Sequence, residues 1–281
     1  MNNTLLSICV PSYNRSKELC RLVDSIDLEE NIELVVCDDG STDNTKEVLD
    51  KYIDKIPITY SYQENSGRGF ALKKAIEMSK GKYVIVMDSD DYFIPKTLSI
   101  ICSIISKELY KSYVFGIKLH KDKKNINIVP PDVETNYISL RGDYGLKGDL
   151  KEVVRKDIII SCLYPEVLNC RRVPTFLIWC CVAEKTDCLS ISIPVAVKEY
   201  LPGGMTDRGF LLRMECSVPM AELYLRLSHS ASYNSTYYRW IVRVLWARYA
   251  FHAKKVKLKS IWMRVVLLPG FVLYLMDKIL L

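Results

Sequence analysis

The sequence predicts an α/β fold with a mostly parallel central sheet flanked by helices. In its first part, short apolar runs alternate with segments in which apolar residues recur at helical spacing, and each apolar run ends in a polar turn sequence. Apolar runs of this kind are typical of strands that are buried on both faces. Strands and helices that alternate at this spacing favour parallel pairing with right-handed crossovers.

Four strands and three helices are predicted in the first part of the chain. The strands cover residues 5–10, 32–37, 58–63 and 83–87, and the helices cover residues 17–26, 45–53 and 70–79. Beyond residue 99 the weaker pattern predicts strands at 113–120, 126–129 and 191–200, with helices at 151–160 and 174–184. Ligands of parallel sheets bind beyond the carboxyl ends of the strands. We therefore expect the polar loops at that edge to form a ligand site.

The last part of the chain is predicted to be helical and basic. The formal net charge is +6, and residues 223–276 contain no Asp or Glu. Aromatic residues such as Trp240 and Trp246 stand there among arginines and lysines, as in segments that bind an anionic membrane surface. The uncharged stretch 265–276 is shorter than the roughly 20 residues that a membrane span needs. A soluble helical subdomain or a homo-oligomer contact is the alternative, and the high apolar content disfavours nucleic acid.

The cysteines and the N-terminus bear on the cellular compartment. The ten cysteines are scattered singly or adjacent, so we expect reduced and mostly buried thiols. No cysteine or histidine cluster has the spacing of zinc ligands. The apolar run at residues 5–10 is too short for a signal peptide. We expect a cytoplasmic protein that is attached peripherally to the inner face of the cell membrane.

Acidic residues follow two of the predicted strands. Asp38 and Asp39 end the second strand, and Asp88, Asp90 and Asp91 end the fourth. Carboxylates that meet at one edge of a sheet repel each other unless a cation neutralises them. A hard divalent cation prefers oxygen ligands that it shares with substrate phosphates. The sequence therefore predicts a nucleoside diphosphate site with Mn²⁺ or Mg²⁺.

Three motifs in this order resemble the family 2 glycosyltransferases of GT-A fold. They read Val-Pro-Ser-Tyr-Asn-Arg at 10–15, Val-Val-Cys-Asp-Asp-Gly-Ser-Thr-Asp at 35–43 and Met-Asp-Ser-Asp-Asp at 87–91. Each follows or ends a predicted strand, and the resemblance is close over residues 5 to 100. It implies an inverting transferase of bacterial surface-polysaccharide type that uses a nucleotide-sugar donor.

The resemblance also implies roles for single residues. Tyr13 would stack on the base, and Asp39 would accept a hydrogen bond from it. Asp90 would ligate the metal and serve catalysis, while Asp88 would contact the ribose or the sugar. Further donor contacts are expected from Pro11, Arg15, Arg68, Lys73 and Ser89.

Sugar transfer also needs a carboxylate that deprotonates the acceptor hydroxyl. Members of the resembled family usually place it in a Glu-Asp or Pro-Glu pair that opens a helix, where this chain has Pro174-Thr175. Threonine cannot act as a general base. Glu166 and Asp157 are the expected substitutes, with Glu184 as a further option. The loop 198–208, with paired glycines, is expected to close over the donor so that Arg208 meets the diphosphate.

These features predict the organisation and the reaction. Residues 1–105 form the donor half of one GT-A domain, residues 106–222 its acceptor half, and residues 223–281 a membrane-associating tail. We expect one sugar to pass from a UDP-sugar to a lipid-linked saccharide. The alternatives are transfer to polyprenyl phosphate and a catalytically silent nucleotide-sugar-binding subunit.

Overall fold

Parallel strands form one half of the central sheet. The computed structural model of the chain describes residues 4–27, 31–119, 126–127, 129–163, 170, 173–199, 209–229, 236–254, 256 and 261–280. Strand β1 (Leu6–Ser12) pairs in parallel with β2 (Ile32–Asp38) and with β4 (Tyr83–Val86). Strand β3 (Ile58–Tyr62) continues this parallel pairing beside β2. The predicted parallel pairing is confirmed for this half.

Three helices connect these strands. They are α1 (Ser16–Asp24), α2 (Thr45–Asp50) and α3 (Arg68–Met78). Helices α1 and α2 pack on one face of the sheet, and α3 packs on the other. Gly67 precedes α3 with φ of 104°, a left-handed conformation that glycine adopts without steric cost. The loop before α3 therefore turns sharply at the carboxyl edge of the sheet.

The second half of the sheet mixes parallel and antiparallel pairs. Its elements are β5 (Tyr92–Phe93), α4 (Thr97–Ile105), β6 (Ser112–Leu119), β7 (Ile126–Asn127), β8 (Val133–Thr135), α5 (Tyr137–Gly142), β9 (Lys151–Arg155), α6 (Lys156–Ile160), α7 (Phe176–Ala183) and β10 (Cys188–Lys198). Within the described ranges the strand order is β3-β2-β1-β4-β9-β6-β10-β5, with β7 on β6 and β8 on β10. One sheet thus runs through both predicted halves.

The helix predicted at 151–160 is wrong in its first half. Residues 151–155 form β9, which is antiparallel to β4 on one side and to β6 on the other. The charges of Lys151 and Glu152 made this segment look like an amphipathic helix. Both side chains are buried instead, because partners from distant parts of the chain meet them there. Tertiary pairing overrides the local pattern at this position.

The tail is helical, as predicted. Helix α8 (Gly209–Glu215) and the first part of α9 (Ser217–His229) precede it, and it contains the rest of α9, α10 (Thr236–His252), α11 (Ile261–Val265) and α12 (Leu267–Leu280). Buried Asp277 accepts hydrogen bonds from Arg248 and contacts His252 at 2.8 Å, which joins α12 to α10. At Gly270 an added Cβ would lie 2.3 Å from the Cβ of Ala247, so glycine permits the close approach. Of the helices described, none combines the length and apolarity that crossing a bilayer requires.

The expectation of reduced cysteines is wrong for one pair. Cys170, which precedes α7, forms a disulfide with Cys216 between α8 and α9, with a Cα–Cα distance of 5.4 Å. The other eight cysteines are free thiols. Sequence spacing could not reveal this pair, because the two residues are brought together only by the packing of α7 against α9.

Candidate functional site

The loops that follow β1, β2 and β4 meet at one edge of the sheet. Ser12 at the end of β1 lies opposite Asp38 at the end of β2, and the Asp39 amide donates to the Ser12 carbonyl at 2.8 Å. Asp88 follows β4, the parallel neighbour of β1 on its other side. The two acidic motifs therefore lie at the same edge of the sheet, with the end of β1 between them.

Buried Asp39 organises the loop before α3. Its carboxylate accepts hydrogen bonds from the amides of Ser66 at 2.9 Å and Gly67 at 2.8 Å, and from the Gln63 side chain at 2.7 Å. A carboxylate has about four acceptor positions, so one remains for a ligand. The predicted hydrogen bond to a base is compatible with this geometry. Asp39 also fixes the loop that leads to Arg68.

The first loop presents an aromatic ring to solvent. Tyr13 is 48% exposed, whereas Pro11 is buried within β1. The residue after Tyr13, Asn14, has a positive φ, and its side chain accepts from the Thr42 amide at 2.8 Å. This bond links the first loop to the second. Arg15 precedes α1 and lies 3.7 Å from Glu18.

Asp88 is held between two cations. The Arg68 Nε donates to its carboxylate at 2.8 Å, and the Lys198 Nζ lies 3.2 Å from it. Arg68 and Lys198 together hold the pKa of Asp88 well below its usual range, although burial opposes them. Arg68 also donates to the Thr175 hydroxyl at 2.7 Å. Asp88 thus joins α3, β10 and the start of α7.

Among the three carboxylates of the motif at 87–91, Asp90 alone makes no salt bridge in the described part of the chain. Burial and the charges of Asp88 and Asp91 raise its pKa to about 6. Its backbone carbonyl accepts a hydrogen bond from Arg21 at 2.6 Å, which fixes the turn, and Ser89 beside it is buried. The site is therefore short of positive charge at Asp90.

The carboxylates of the motif at 87–91 fit a divalent cation through one ligand only, Asp90. Among the described residues, no group of three metal-ligating side chains is present. Asp88 and Asp91 are already paired with Arg68 or Lys151. A cation at this edge would therefore be held by Asp90 together with oxygens of the substrate. Such sparse protein ligation is usual for Mg²⁺ at phosphate sites.

The remaining predicted residues lie apart from this centre or outside the described residues. Lys73 lies on α3, 3.9 Å from Glu77. Asp157 pairs with Arg155, which lies opposite the first residue of β4, so it sits at the other edge of the sheet. Glu184 ends α7 and pairs with Arg226 at 3.1 Å. The structure does not bring Asp157 or Glu184 to the motifs, and Glu166 and Arg208 lie outside the described residues.

A cavity of about 400 Å³ opens beside Asp88. Besides Asp88, the carboxylates that line it within the described part of the chain are Asp149 and Glu152. Lys198, within the predicted loop, lies 3.1 Å from Asp149. Sequence reasoning missed Asp149 and Glu152, and the prediction of a helix at 151–160 removed the signal for Glu152. The cavity is a second compartment next to the predicted donor edge.

The family Glycosyl transferase family 2 matches residues 7–154, more than half of the chain. The chain belongs to this family. This family 2 glycosyltransferase is 33% identical over 124 residues to a chondroitin synthase of Escherichia coli, an alignment that covers 43% of the chain and 18% of the relative. It is 36% identical over 121 residues to an uncharacterized glycosyltransferase of Mycoplasma genitalium, covering 39% of the chain and 40% of the relative. The alignments thus span well under two thirds of these curated relatives.

Solved structures share the fold of this family 2 glycosyltransferase. TarS 1-349 of Staphylococcus aureus, in complex with UDP-GlcNAc, superposes with a TM-score of 0.71 at 17% identity, covering 98% of this chain and 81% of that one. The mannosyltransferase PcManGT of Pyrobaculum calidifontis, in complex with GDP-Man and Mn²⁺, gives 0.57 at 16% identity, covering 97% and 87%. The predicted GT-A fold is confirmed.

Proposed function

We propose that this chain transfers one sugar, with inversion, from a UDP-linked sugar to a lipid-linked saccharide of a bacterial surface glycan. The proposed donor site is supported by three side chains that lie at one edge of the sheet. They are the exposed ring of Tyr13 and the carboxylates of Asp39 and Asp90. An exposed ring, a carboxylate with one remaining acceptor position and a carboxylate without a salt bridge match a base and a diphosphate. TarS and PcManGT, which share the fold, bind UDP-GlcNAc and GDP-Man.

Each residue of this edge has a part in the proposed reaction. Tyr13 stacks on the base, and Asp39 accepts its hydrogen bond. Asp90 would hold Mn²⁺ or Mg²⁺, and such an ion, when bound, neutralises charge on the leaving diphosphate. Arg68 and Lys198 hold Asp88 ionised beside the sugar.

The donor panel is the first experiment. We expect UDP-sugars to raise the melting temperature of the purified chain by several degrees in the presence of Mn²⁺, and by much less without it. GDP-, dTDP- and CMP-linked sugars serve as matched controls because they differ in the base. A larger shift with one of these would correct the proposed base. No shift with any nucleotide would contradict the proposed function.

The exposed face of α12 supports the proposal that the acceptor is linked to a membrane lipid. Its exposed side chains form one apolar stripe along the helix: Leu268, Phe271, Val272, Leu275, Met276 and Ile279. Arg264 and Lys278, both exposed, flank the stripe. Apolar side chains bordered by cations suit the interface of an anionic bilayer. We propose that α12 attaches the enzyme peripherally to the inner face of the cell membrane.

Charge placed on this stripe should weaken membrane attachment. We expect the double variant Leu268→Glu and Leu275→Glu to reduce co-sedimentation with phosphatidylserine-containing vesicles at least about tenfold, because each change exchanges apolar burial for repulsion. Gln substitutions at exposed Lys46 and Lys51, at α2, lower the net charge by the same amount and control for it. Equal loss in both variants would mean that charge alone attracts the protein, and no loss in either would contradict the role of α12.

A catalytically silent subunit is the second candidate. The observation that favours it is Thr175 at the start of α7, where members of family 2 usually have an acid. The Thr175 hydroxyl accepts a hydrogen bond from Arg68 of α3. Such a protein would bind the nucleotide sugar and show no turnover. Measuring both binding and turnover on one preparation separates the two candidates.

A further inference from the structure

Glu152 lies where the structure leaves room for an acceptor. It is on β9, and it lines the cavity together with Asp88 and Thr175. The next residue on the same side of the strand, Val154, packs in the core beneath α7. The side chain of Glu152 therefore faces the sheet surface that also bears the start of α7.

We infer that Glu152 is the carboxylate that takes the proton of the acceptor hydroxyl, a reaction that Thr175 cannot perform. This inference rests on the proposed function and supplies the group that the sequence did not reveal. It concerns the acceptor side only, so donor binding at Asp39 and Asp90 does not depend on it.

A chain of hydrogen bonds holds Glu152 in place. The Tyr137 hydroxyl is hydrogen-bonded to the Glu152 carboxylate, and Arg141 Nη2 donates to the same hydroxyl at 2.6 Å. Arg141 also donates to the carbonyls of Leu146 and Gly148. Those two residues line the cavity as well. Arg141 thus fixes both the carboxylate and the rim of the cavity.

The other two carboxylates that line the cavity in the described ranges are poorer bases. Asp88 is paired with Arg68 and Lys198, which hold its pKa far below that of a useful base. Asp149 is 50% exposed and lies 3.1 Å from Lys198. Glu152 is buried, and its close polar contact is a neutral hydroxyl. Among the described residues, no cation forms a salt bridge with Glu152 in the way that Arg68 does with Asp88.

Burial raises the pKa of Glu152 to about 7. Arg141, the Tyr137 hydroxyl and Lys151 lower it again in part, and Asp149 raises it. Cys188 on β10 is a neutral thiol whose own pKa is raised by burial. A base whose pKa is near the working pH is efficient in proton transfer. The position of Glu152 in the cavity and its raised pKa therefore both suit a general base.

The proposed step balances. The acceptor oxygen forms a bond to the anomeric carbon as its proton passes to a Glu152 oxygen. The bond between the anomeric carbon and the phosphate oxygen breaks, and its electron pair leaves with the nucleoside diphosphate. Protonated Glu152 then returns the proton to water, and no oxidant or reductant is needed.

Glu152→Gln tests the inference. Release of the nucleoside diphosphate, UDP from UDP-GlcNAc or UDP-glucose and GDP from GDP-mannose, is measured with Mn²⁺, with water alone and with a saccharide panel as acceptors. We expect at least about a 100-fold loss of rate, because general base catalysis contributes 10²- to 10⁴-fold. Donor affinity by calorimetry should stay within about twofold. Glu47→Gln, the same change at an exposed position on α2, should leave the rate unchanged.

The pH profile distinguishes a base from a structural residue. The wild-type rate should fall as the pH decreases through about 7, since protonated Glu152 cannot accept a proton, and the residual rate of Glu152→Gln should not show this limb. Tyr137→Phe removes a hydrogen bond that lowers the pKa of Glu152, so its limb should move to higher pH. This variant also tests the inference if Glu152→Gln does not fold.

Three results would overturn the inference, and they separate it from the proposed function. A Glu152→Gln enzyme with wild-type rate and limb would exclude Glu152 as the base, as would a Tyr137→Phe limb that stays at the wild-type pH. Metal-dependent donor binding by the wild type without turnover under any condition would also exclude it and favour the silent subunit. Failure of every donor to bind would instead contradict the proposed function.

Discussion

Asp90→Asn is expected to lower metal-dependent affinity for the nucleotide sugar at least about 100-fold. Asparagine keeps the size of the side chain and removes the one carboxylate charge of the motif at 87–91 that forms no salt bridge with a described cation. Without that charge, the diphosphate is left with a cation that no carboxylate anchors. Calorimetry with UDP-GlcNAc, with and without Mn²⁺, measures the effect. Unchanged metal-dependent affinity would exclude Asp90 as the metal ligand.

Loss of folding should not complicate this measurement. The charges of Asp88 and Asp91 repel that of Asp90 and help to raise its pKa, so a neutral side chain relieves repulsion. We expect the melting temperature of metal-free Asp90→Asn to equal or exceed that of the wild type. Asp50→Asn, at an exposed position on α2, is the matched control and should bind donor and metal normally.

The second large effect concerns stability. Lys151→Met should lower the free energy of unfolding by about 3–5 kcal/mol, because it leaves a buried carboxylate without its partner. The Lys151 Nζ lies 2.7 Å from Asp91, and the two side chains are 6% and 0% exposed. One oxygen of Asp91 already lacks a hydrogen-bond partner among the described residues, so loss of Lys151 leaves this buried carboxylate poorly satisfied. Urea denaturation measures the loss.

Two further variants complete the stability test. Adding Asp91→Leu to Lys151→Met should recover most of the loss, because two apolar side chains of similar size no longer bury an unpaired charge. Lys46→Met breaks an exposed pair with Asp50 and should cost under about 1 kcal/mol. Equal effects of Lys46→Met and Lys151→Met would show that burial does not strengthen the inner pair.

The same buried charges explain where sequence reasoning succeeded and where it failed. Strands β1, β2 and β4 were predictable because they are mostly apolar and buried along their whole length, so they need no knowledge of a partner. Strand β9 was not, because Lys151 and Glu152 resemble surface residues until Asp91 and Tyr137 are placed beside them. An apolar strand can be recognised from its own sequence. A strand with buried charges can be recognised only when the partners of those charges are known.

The residues of the candidate site likewise fall into those that the sequence predicts and those that it does not. Asp39, Asp88 and Asp90 were found because motifs at strand ends meet at one edge of any parallel sheet. Glu152 was missed because it stands within a strand, far from any motif, and Thr175 drew attention to the start of α7. Glu166 and Asp157 were considered because they are nearby in sequence, but the antiparallel course of β9 takes Asp157 to the opposite edge.

Strand β9 also determines when the nascent chain can complete its fold. Residues 6–86 supply β1 to β4 early in synthesis, but the outer side of β4 stays unpaired until β9 emerges from the ribosome. Strand β5 must likewise wait for its antiparallel partner in β10. Exposed strand edges pair readily with other chains. We expect partly synthesised chains to depend on chaperones over this interval, and a fragment that ends at residue 105 to aggregate rather than fold.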